Sequence, residues 1–284
     1  MEIETLRSAY HEAICAEIIR SPKGYPNFAD NGNKSSMGFA WGVAKRMGYK
    51  AEIHDADAVT EQTAGGRFET LTAKYLERSF GLLQHLRPGK WLYTTIRTNI
   101  SRFEQYEHLA YLEEVIKKDK SLSPALGGDY IVKPDIVIAR APVSDELINE
   151  HGPVIDPATI ARLTPFRESN RDEPKLILHA SISCKWTIRS DRSQNTRTEA
   201  LNLIRNRKGP VPHIVAVTAE PLPTRIAALA LGTGDLDCVY HFALHELMES
   251  VQEAHNEDQL DMLQTLVNGH RLRDISDLPF DLAI

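Results

Sequence analysis

Three side chains in the central part of the chain, those of Asp135, Lys185 and Glu199, together have the chemistry to hydrolyse a phosphodiester. That reaction needs acidic oxygen ligands for a divalent cation, a positive group near the attacking water, and basic contacts to the backbone of the substrate. Taken singly, an aspartate after Pro134 is usually a turn residue and a helical glutamate is usually solvated. Lys185 differs, because a lysine at the end of an apolar strand is partly buried and needs a partner or a task.

The segments around these residues predict how they are positioned. Asp135 lies where a β-branched segment, residues 130–139, is interrupted by Lys-Pro-Asp, which predicts a strand pair or a strand with a bulge at Pro134. Ser183 and Lys185 lie two apart on the next predicted strand, so they face the same side of the sheet. Glu199 lies in the helix that follows, near enough in sequence to return to the same edge.

The order of predicted elements from Asp135 onward is strand, strand, helix, strand, helix, strand, helix. This alternation predicts an α/β fold with a mixed central sheet flanked by helices. The predicted strands span residues 176–188, 213–218 and 238–243, and the predicted helices span residues 193–207 and 224–231. Residues 143–172 are polar and contain prolines, which indicates an insertion or connection.

The first part of the chain predicts helical additions to that core. Apolar spacing favours helices over residues 3–19, 60–86 and 103–118, a strand over 91–96, and a polar loop that ends near Ser36. We expect a single domain over residues 1–284, made of a mainly helical part (1–128), a catalytic α/β core (129–255) and a C-terminal helix and tail (256–284).

Composition and length are those of an ordinary globular protein. The hydrophobic fraction of 42% and the charged fraction of 25% exclude disordered and collagen-like chains. No segment approaches the roughly 18 apolar residues that a membrane-spanning helix needs. The N-terminus lacks a secretory or transit signal, and the three widely spaced cysteines, Cys15, Cys184 and Cys238, predict buried thiols rather than disulfides. We therefore expect a cytoplasmic protein with no membrane partner.

The charge distribution bears on the partner. The net charge of -6 argues against a nucleic-acid ligand, but residues 185–208 contain seven Lys or Arg against two acidic residues. A solvated basic helix face is the simpler interpretation, and a surface for DNA is the alternative. Within this segment, Arg189, Asp191 and Arg192 carry donors and an acceptor that suit guanine and cytosine edges. Ser190 or Asp191 would equally suit a helix N-cap.

Pro134-Asp135, a strand that ends in Ser183-Cys184-Lys185, and Glu199 on the following helix resemble the motif of the PD-(D/E)XK nuclease superfamily. The usual motif has Asp or Glu at position 183, and Glu199 would take over the role of that acid. The stretches HASISCKWTIRSDRSQNTRTEALNLIRNRK and PHIVAVTAEP are also similar to a group of type II restriction endonucleases within this superfamily.

The resemblance implies a Mg²⁺-dependent homotetramer that binds two copies of double-stranded GCCGGC and cuts after the first G. It implies that the metal is held by Asp135, Glu199 and the backbone carbonyl of Cys184. The catalytic set that it implies is Asp135, Lys185, Glu199, Glu69 and Ser183. It assigns Arg189, Asp191 and Arg192 to the inner CCGG, and Gln62, Arg225 and Asp30 to the outer base pair.

Other functions remain open at this point. His241 and His245 are four apart with Glu246 adjacent, which would suit a zinc hydrolase, but the order His-Glu-x-x-His is absent. Gly232-Thr-Gly-Asp lacks the lysine of a P-loop. A DNA-binding protein that does not cut, and a repair or junction nuclease of the same superfamily, are the remaining alternatives.

Overall fold

The computed structural model describes residues 1–51, 59–118, 132–188, 190–232 and 234–284, with the side chains of residue 117 and residues 190–193 excluded. Within these ranges the centre of the protein is a six-stranded sheet whose strands lie in chain order. The strands are β1 (Trp91–Thr94), β2 (Ile136–Arg140), β3 (Ile177–Lys185), β4 (His213–Thr218), β5 (Cys238–His241) and β6 (Leu272–Asp274).

The sheet is mixed. β1, β2 and β3 pair antiparallel, whereas β3, β4, β5 and β6 pair parallel. Strands β2, β4 and β5 are almost wholly buried, and β2 and β4 are rich in β-branched residues, as expected for strands with helices on both faces. The predicted fold class, a mixed central sheet flanked by helices, is confirmed.

Two strand predictions need correction. The irregularity of β2 lies between Ile138 and Ala139, where the register with β3 shifts, and not at Pro134. Pro134 precedes the strand instead, and the start of the predicted segment at residues 130–131 lies outside the described residues. The short strand β6 was not predicted, because three residues are too few to show a period.

The helices flank the sheet and carry the N-terminal part of the chain. They are α1 (Glu2–Glu17), α2 (Lys34–Arg46), α3 (Glu61–Gly81), α4 (His108–Lys118), α5 (Asp145–Ile148), α6 (Ser190–Asn206), α7 (Pro223–Ala230), α8 (Leu244–Glu253), α9 (Glu257–Asn268) and α10 (Leu278–Asp281). The predicted loop up to Ser36 is wrong at its end, because Asn33 caps α2 by accepting a hydrogen bond of 3.0 Å from the Ser36 N–H. The helix predicted over 60–86 ends at Gly81.

An aromatic cluster packs α3 against the end of the sheet at which β3 stops. The ring of Phe68 lies 5.2 Å from that of Trp186, and Phe28 and Phe242 complete the cluster with centroid distances of 5.4 to 6.2 Å. Phe68 immediately precedes Glu69, and Trp186 immediately follows Lys185 in the sequence. Burial of these rings therefore brings two candidate site residues from distant parts of the chain to the same place.

A buried ion network holds α1 against the other side of the molecule. The guanidinium of Arg7 donates four hydrogen bonds of 2.7 to 2.8 Å to the carboxylates of Glu246 on α8 and Asp274 on β6. The Asp274 side chain is 1% exposed and that of Arg7 is 15% exposed. Because each of the two carboxylates accepts two hydrogen bonds from Arg7, we interpret the network as a structural anchor.

Residues 143–172 form the predicted connection between β2 and β3. Arg167 holds its base through hydrogen bonds of 2.7 and 2.6 Å to the carboxylate of Asp145. The segment exposes large apolar side chains, those of Leu147, Val154, Ile160, Leu163 and Phe166. An exposed apolar surface of this kind is typical of a site that binds another protein chain.

The three parts into which the sequence divides the chain all contribute to the sheet. β1 comes from the first part and β6 from the last, so the boundaries at residues 128 and 255 stay predictions. The three cysteines are buried and unpaired, as predicted. Among the described residues, no helix is long and apolar enough to cross a membrane.

Candidate active site

Asp135 is the centre of the candidate site. It lies directly before β2, and the register of β2 with β3 places it opposite Ser183. Its Oδ2 accepts hydrogen bonds from Lys185 Nζ at 3.0 Å and from the backbone N–H of Cys184 at 2.9 Å, and Ser183 Oγ lies at 3.4 Å. Ser183 and Lys185 therefore face the same side of β3, as strand geometry predicts.

The ion pair between Lys185 and Asp135 is shielded from water. The two side chains are 20% and 12% exposed, respectively. A lysine at the end of an apolar strand needs a charged partner, and Asp135 is that partner for Lys185. Lys185 is thus fixed in place at the end of the sheet with its ammonium group beside the carboxylate of Asp135.

Glu69 reaches the same place from α3. Its Oε1 and Asp135 Oδ1 each lie 3.4 Å from one guanidinium nitrogen of Arg97, whose side chain is 62% exposed. The resemblance placed Glu69 near the site, but Arg97 was not singled out from the sequence. The only signal for Arg97 is a basic residue shortly after a predicted strand, which does not indicate what it contacts.

Glu199 lies on α6, within electrostatic reach of Lys185, Asp135 and Arg97. Burial raises the pKa of Glu199, and Asp135 raises it further against the opposing effects of Lys185 and Arg97. Burial and the charge of Asp135 also raise the pKa of Glu69. Such shifts indicate that carboxylates are partly buried close to one another, which is a common property of catalytic and cation-binding sites.

The donor set suits a hard divalent cation. Carboxylate and carbonyl oxygens are the ligands that Mg²⁺ prefers, and Asp135, Glu199 and the Cys184 carbonyl would supply them. The Cys184 thiol does not qualify, since burial raises its pKa far above the usual range. In the part of the chain that the structure describes, no group of three His, Cys, Asp or Glu side chains is arranged as a metal site. The predicted metal ligands include only two carboxylate side chains, so a search for groups of three does not test them. The metal site therefore stays a prediction.

Of the three residues predicted to read the outer base pair, two are in contact with each other. Asp30 and Arg225 form an ion pair, and both line a groove of about 290 Å³ at the edge of the candidate site. Glu61, Trp186 and Thr187 line the same groove. Gln62 is exposed in the first turn of α3, next to Glu61. Whether these residues touch DNA stays a prediction.

The residues predicted to read the inner base pairs lie around the start of α6. Arg189 lies outside the described residues, as do the side chains of Asp191 and Arg192. The backbone places Asp191 and Arg192 in the first turn of α6, which begins at Ser190, earlier than the predicted start. The helix follows β3 closely, so these positions lie a short distance along the chain from Lys185.

The zinc alternative finds no support. His241 lies on β5, is fully buried, and its Nδ1 accepts a hydrogen bond of 3.2 Å from the Ala243 N–H. Burial lowers the pKa of His241 to about 4. His245 is exposed on α8. The two histidines therefore do not share a helical face.

Comparison with known proteins finds relatives that match nearly the whole chain. The model of the NgoMIV restriction enzyme family matches residues 10–284. The type II restriction enzyme NgoMIV of Neisseria gonorrhoeae is 46% identical over 270 residues, which cover 92% of this chain and 91% of that protein. A solved structure, the Type IIF restriction endonuclease Bse634I with cognate DNA, covers 92% of both chains at 17% identity with a TM-score of 0.39.

The family match extends over nearly the whole chain, and the identity to the Neisseria enzyme is high over the same range. These two findings confirm the resemblance to type II restriction endonucleases that the sequence motifs indicated. The chain belongs to the NgoMIV restriction enzyme family, the members of which are type II restriction endonucleases.

Proposed function

We propose that this restriction endonuclease uses Mg²⁺ to hydrolyse double-stranded DNA at GCCGGC, after the first G. The observation that carries the catalytic part is the carboxylate of Asp135, which lies 3.0 Å from Lys185 Nζ beside two further acids of raised pKa. A cytoplasmic location belongs to the same proposal, and the three unpaired buried cysteines support a reducing compartment.

The side chains divide the catalytic work. Asp135, Glu199 and the Cys184 carbonyl hold the metal, which when bound would stabilise the charge that develops on the phosphate. Lys185 orients the attacking water and offsets negative charge beside the phosphate, because Asp135 fixes its ammonium group. Ser183 supports Asp135 from β3, and Glu69 adds negative charge from α3.

The recognition part of the proposal depends on chemistry at the groove and at the start of α6. Arginine donates two hydrogen bonds to guanine N7 and O6, and a carboxylate accepts from cytosine N4. Arg189, Asp191 and Arg192 therefore have the groups for the inner CCGG, and Gln62, Arg225 and Asp30 for the outer pair. The Asp30–Arg225 ion pair supports a shared location for the outer readers.

Digestion of a plasmid of known sequence with Mg²⁺ tests the activity. We expect discrete fragments with ends that map to GCCGGC, and no cleavage by Lys185→Ala or Glu199→Ala protein that has a wild-type circular dichroism spectrum. Smears would indicate a nonspecific nuclease, and unchanged plasmid with retained binding would indicate a DNA-binding protein that does not cut. Wild-type turnover of the Glu199 variant would contradict the role of that acid.

A matched pair of arginines on one segment tests recognition. Arg189→Ala should cost roughly 1 to 3 kcal/mol of binding to GCCGGC and much less on scrambled DNA. The control is Arg205→Ala, exposed near the far end of α6, which should at most weaken both duplexes equally. Titration with Ca²⁺ in place of Mg²⁺ measures both. Equal losses on the two duplexes for Arg189→Ala would contradict base reading.

We further propose that the enzyme assembles as a homotetramer that binds two DNA sites. A palindrome presents two identical half-sites, so its recognition needs at least a two-fold symmetric dimer. The exposed apolar side chains of residues 143–172, among them Ile160 (97%) and Leu163 (93%), supply a surface that a second subunit would cover.

Light scattering on substituted proteins tests this assembly. The double variant Ile160→Asp with Leu163→Asp should lower the mass of the oligomer, because two buried charges would replace apolar contacts. The matched control is Leu86→Asp, which changes an exposed leucine outside this segment and should leave the mass unchanged. A wild-type mass near that of one 31.9 kDa chain, with and without DNA, would exclude the tetramer.

A further inference from the structure

Glu220 is a buried carboxylate to which neither the sequence analysis nor the proposed catalytic scheme gives a role. It lies two residues after β4 and has no exposed surface. Its Oε2 accepts a hydrogen bond of 2.9 Å from the Ile188 N–H, and its Oε1 accepts one of 3.2 Å from the Leu222 N–H. A carboxylate is costly to bury, so these two bonds compensate a large desolvation penalty.

The two N–H groups belong to the two elements that carry the proposed base readers. Ile188 is the residue before Arg189, at the junction between the catalytic strand and α6. Leu222 is the residue before α7, and Arg225 lies in the first turn of that helix. One carboxylate thus bridges the start of the inner reading segment and the start of the outer reading helix.

The same group is connected to the catalytic strand. The Glu220 N–H donates to Thr218 Oγ1 at 3.1 Å, and that hydroxyl donates to the Lys185 carbonyl at 2.9 Å. The chain of bonds runs from the end of β3 through β4 to both reading elements. A turn that only reverses the chain after β4 would need no such link to Ile188.

We propose that Glu220 is a positioning residue for DNA recognition, which holds the inner and outer base-reading elements in fixed register with each other. The proposal rests on the proposed function. Residues that read bases must be held within a fraction of an ångström by groups behind them, and a bidentate buried carboxylate does this for two backbone segments at once.

The geometry makes the role of Glu220 dependent on its charge. Burial raises the pKa of Glu220 to about 7, the backbone bonds and Arg225 lower it, and Asp30 raises it. His241 of β5 lies beside its backbone and stays neutral near that pH, because burial lowers the pKa of His241. A protonated carboxyl group keeps one acceptor and gains an O–H donor, so one of the two N–H groups loses its partner.

Glu220→Gln tests the proposal with almost no change in volume. The amide offers one acceptor and turns an NH₂ group toward the other N–H. The control is Asp274→Asn, since Asp274 is equally buried and accepts backbone N–H bonds of 2.9 and 3.0 Å from Leu244 and Ser276, outside both reading elements. Both variants should have a lower free energy of unfolding, but only Glu220→Gln should lose the preference for the recognition site over other DNA.

The measurement is the ratio of affinities, with Ca²⁺, for a duplex that carries the site mapped by wild-type digestion and for a scrambled duplex. We expect Glu220→Gln to lower this ratio by about tenfold, comparable to loss of one base contact. Asp274→Asn should keep the ratio within about twofold, since a change remote from the readers acts on both duplexes alike.

The pH profile is a second and independent readout. The wild-type ratio should fall from about pH 8 to about pH 6 as Glu220 takes up a proton, and Glu220→Gln should show no such fall. An unchanged ratio in Glu220→Gln overturns the proposal, and a flat wild-type profile overturns it even if that variant does not fold. Wild-type protein that yields no discrete site would instead contradict the proposed function.

Discussion

Two of the clusters in which one arginine lies between two carboxylates, those of Arg7 and Arg97, differ in nearly every physical respect. Arg7 makes four short hydrogen bonds to Glu246 and Asp274 and is 15% exposed. Arg97 lies 3.4 Å from Glu69 and from Asp135 and is 62% exposed. The first cluster is saturated, whereas the second has weak contacts and free acceptor capacity.

The pKa values of the carboxylates separate the two clusters in the same way. Asp274 is buried, which raises its pKa, but the bonds and charge of Arg7 outweigh burial and the pKa is lowered. In the other cluster burial and Asp135 prevail, and the pKa of Glu69 is raised. Negative charge that is fully compensated stabilises a fold, and negative charge that is left over attracts a cation or a reacting group.

The largest contrast should come from neutralising one aspartate in each cluster. Asp135→Asn should lower the cleavage rate by at least about a hundredfold, because it removes a ligand and the partner of Lys185. Asp274→Asn should leave the rate per folded molecule close to wild type. Single-turnover cleavage at saturating enzyme, normalised to the folded fraction, measures both. Comparable rates for the two variants would erase the distinction between the clusters.

The two arginines should differ in their contribution to stability. Arg7→Ala leaves two buried carboxylates without a partner and should lower the free energy of unfolding by about 3 to 5 kcal/mol. Arg97→Ala removes an exposed cation with long contacts and should change it by less than about 1 kcal/mol. Urea unfolding without Mg²⁺ or DNA makes the comparison. A large loss for Arg97→Ala would show that its contacts are structural.

The pH dependence of stability should have opposite signs in the two clusters. The folded pKa of Asp274 is lowered, so its contribution is complete above the unfolded value of 3.8 and is lost as pH falls below it. The folded pKa of Glu69 is raised, so its ionised form costs stability near neutral pH, and that cost disappears as pH falls toward 4.5.

The dependence of stability on pH can be measured by thermal unfolding of two variants without metal. Glu69→Gln should be more stable than wild type at neutral pH and should lose that advantage as pH falls toward the unfolded value. Asp274→Asn should be less stable than wild type above the unfolded pKa, and the difference should shrink in acid. If Glu69→Gln were destabilised at neutral pH, the carboxylate would be better compensated than its contacts indicate.

The smallest effect should come from Ser183, which stands where the usual motif of the superfamily has an acid. Its Oγ lies 3.4 Å from both Asp135 Oδ2 and Thr196 Oγ1, at the long limit of a hydrogen bond. Ser183→Ala should change the free energy of unfolding by at most about 1 kcal/mol and the cleavage rate by less than tenfold. A loss as large as that of Asp135→Asn would make Ser183 a direct participant.

The local sequence pattern was sufficient to predict most strands of the sheet and the positions of two candidate site residues at strand ends. The β-branched runs that became β2 and β4 and the longer β3 have no competing helical period, so Asp135 and Lys185 could be placed at strand ends. Alternation along β3 then placed Ser183 beside Lys185. These inferences involve residues that are close in sequence or lie on neighbouring strands.

Contacts between distant segments could not be predicted from the local sequence pattern. Arg97 follows β1, which pairs with β2 beside Asp135, and Glu69 joins them where the Phe68 ring packs on Trp186; no periodicity encodes that packing. The carboxylate of Glu220 lies in an apolar stretch that reads as the end of a strand, with nothing in its neighbourhood to indicate Ile188. Helix α2 was missed because its first residues, Lys34 to Ser36, continue the polar loop and its two glycines, Gly38 and Gly42, are poor helix formers.

The contact between Arg7 and Asp274 joins residues 267 positions apart. Contacts of such long loop closure form late in folding, after neighbouring strands have paired. During synthesis the strands emerge in the order in which they lie in the sheet, and α1, which packs on α3 through Tyr10 and Thr72, gains its contact with β6 last. We expect Asp135, Lys185 and Glu199 to be synthesised long before the bonds between Arg7 and Asp274 can form, so that the proposed site would exist before the architecture that supports it is closed.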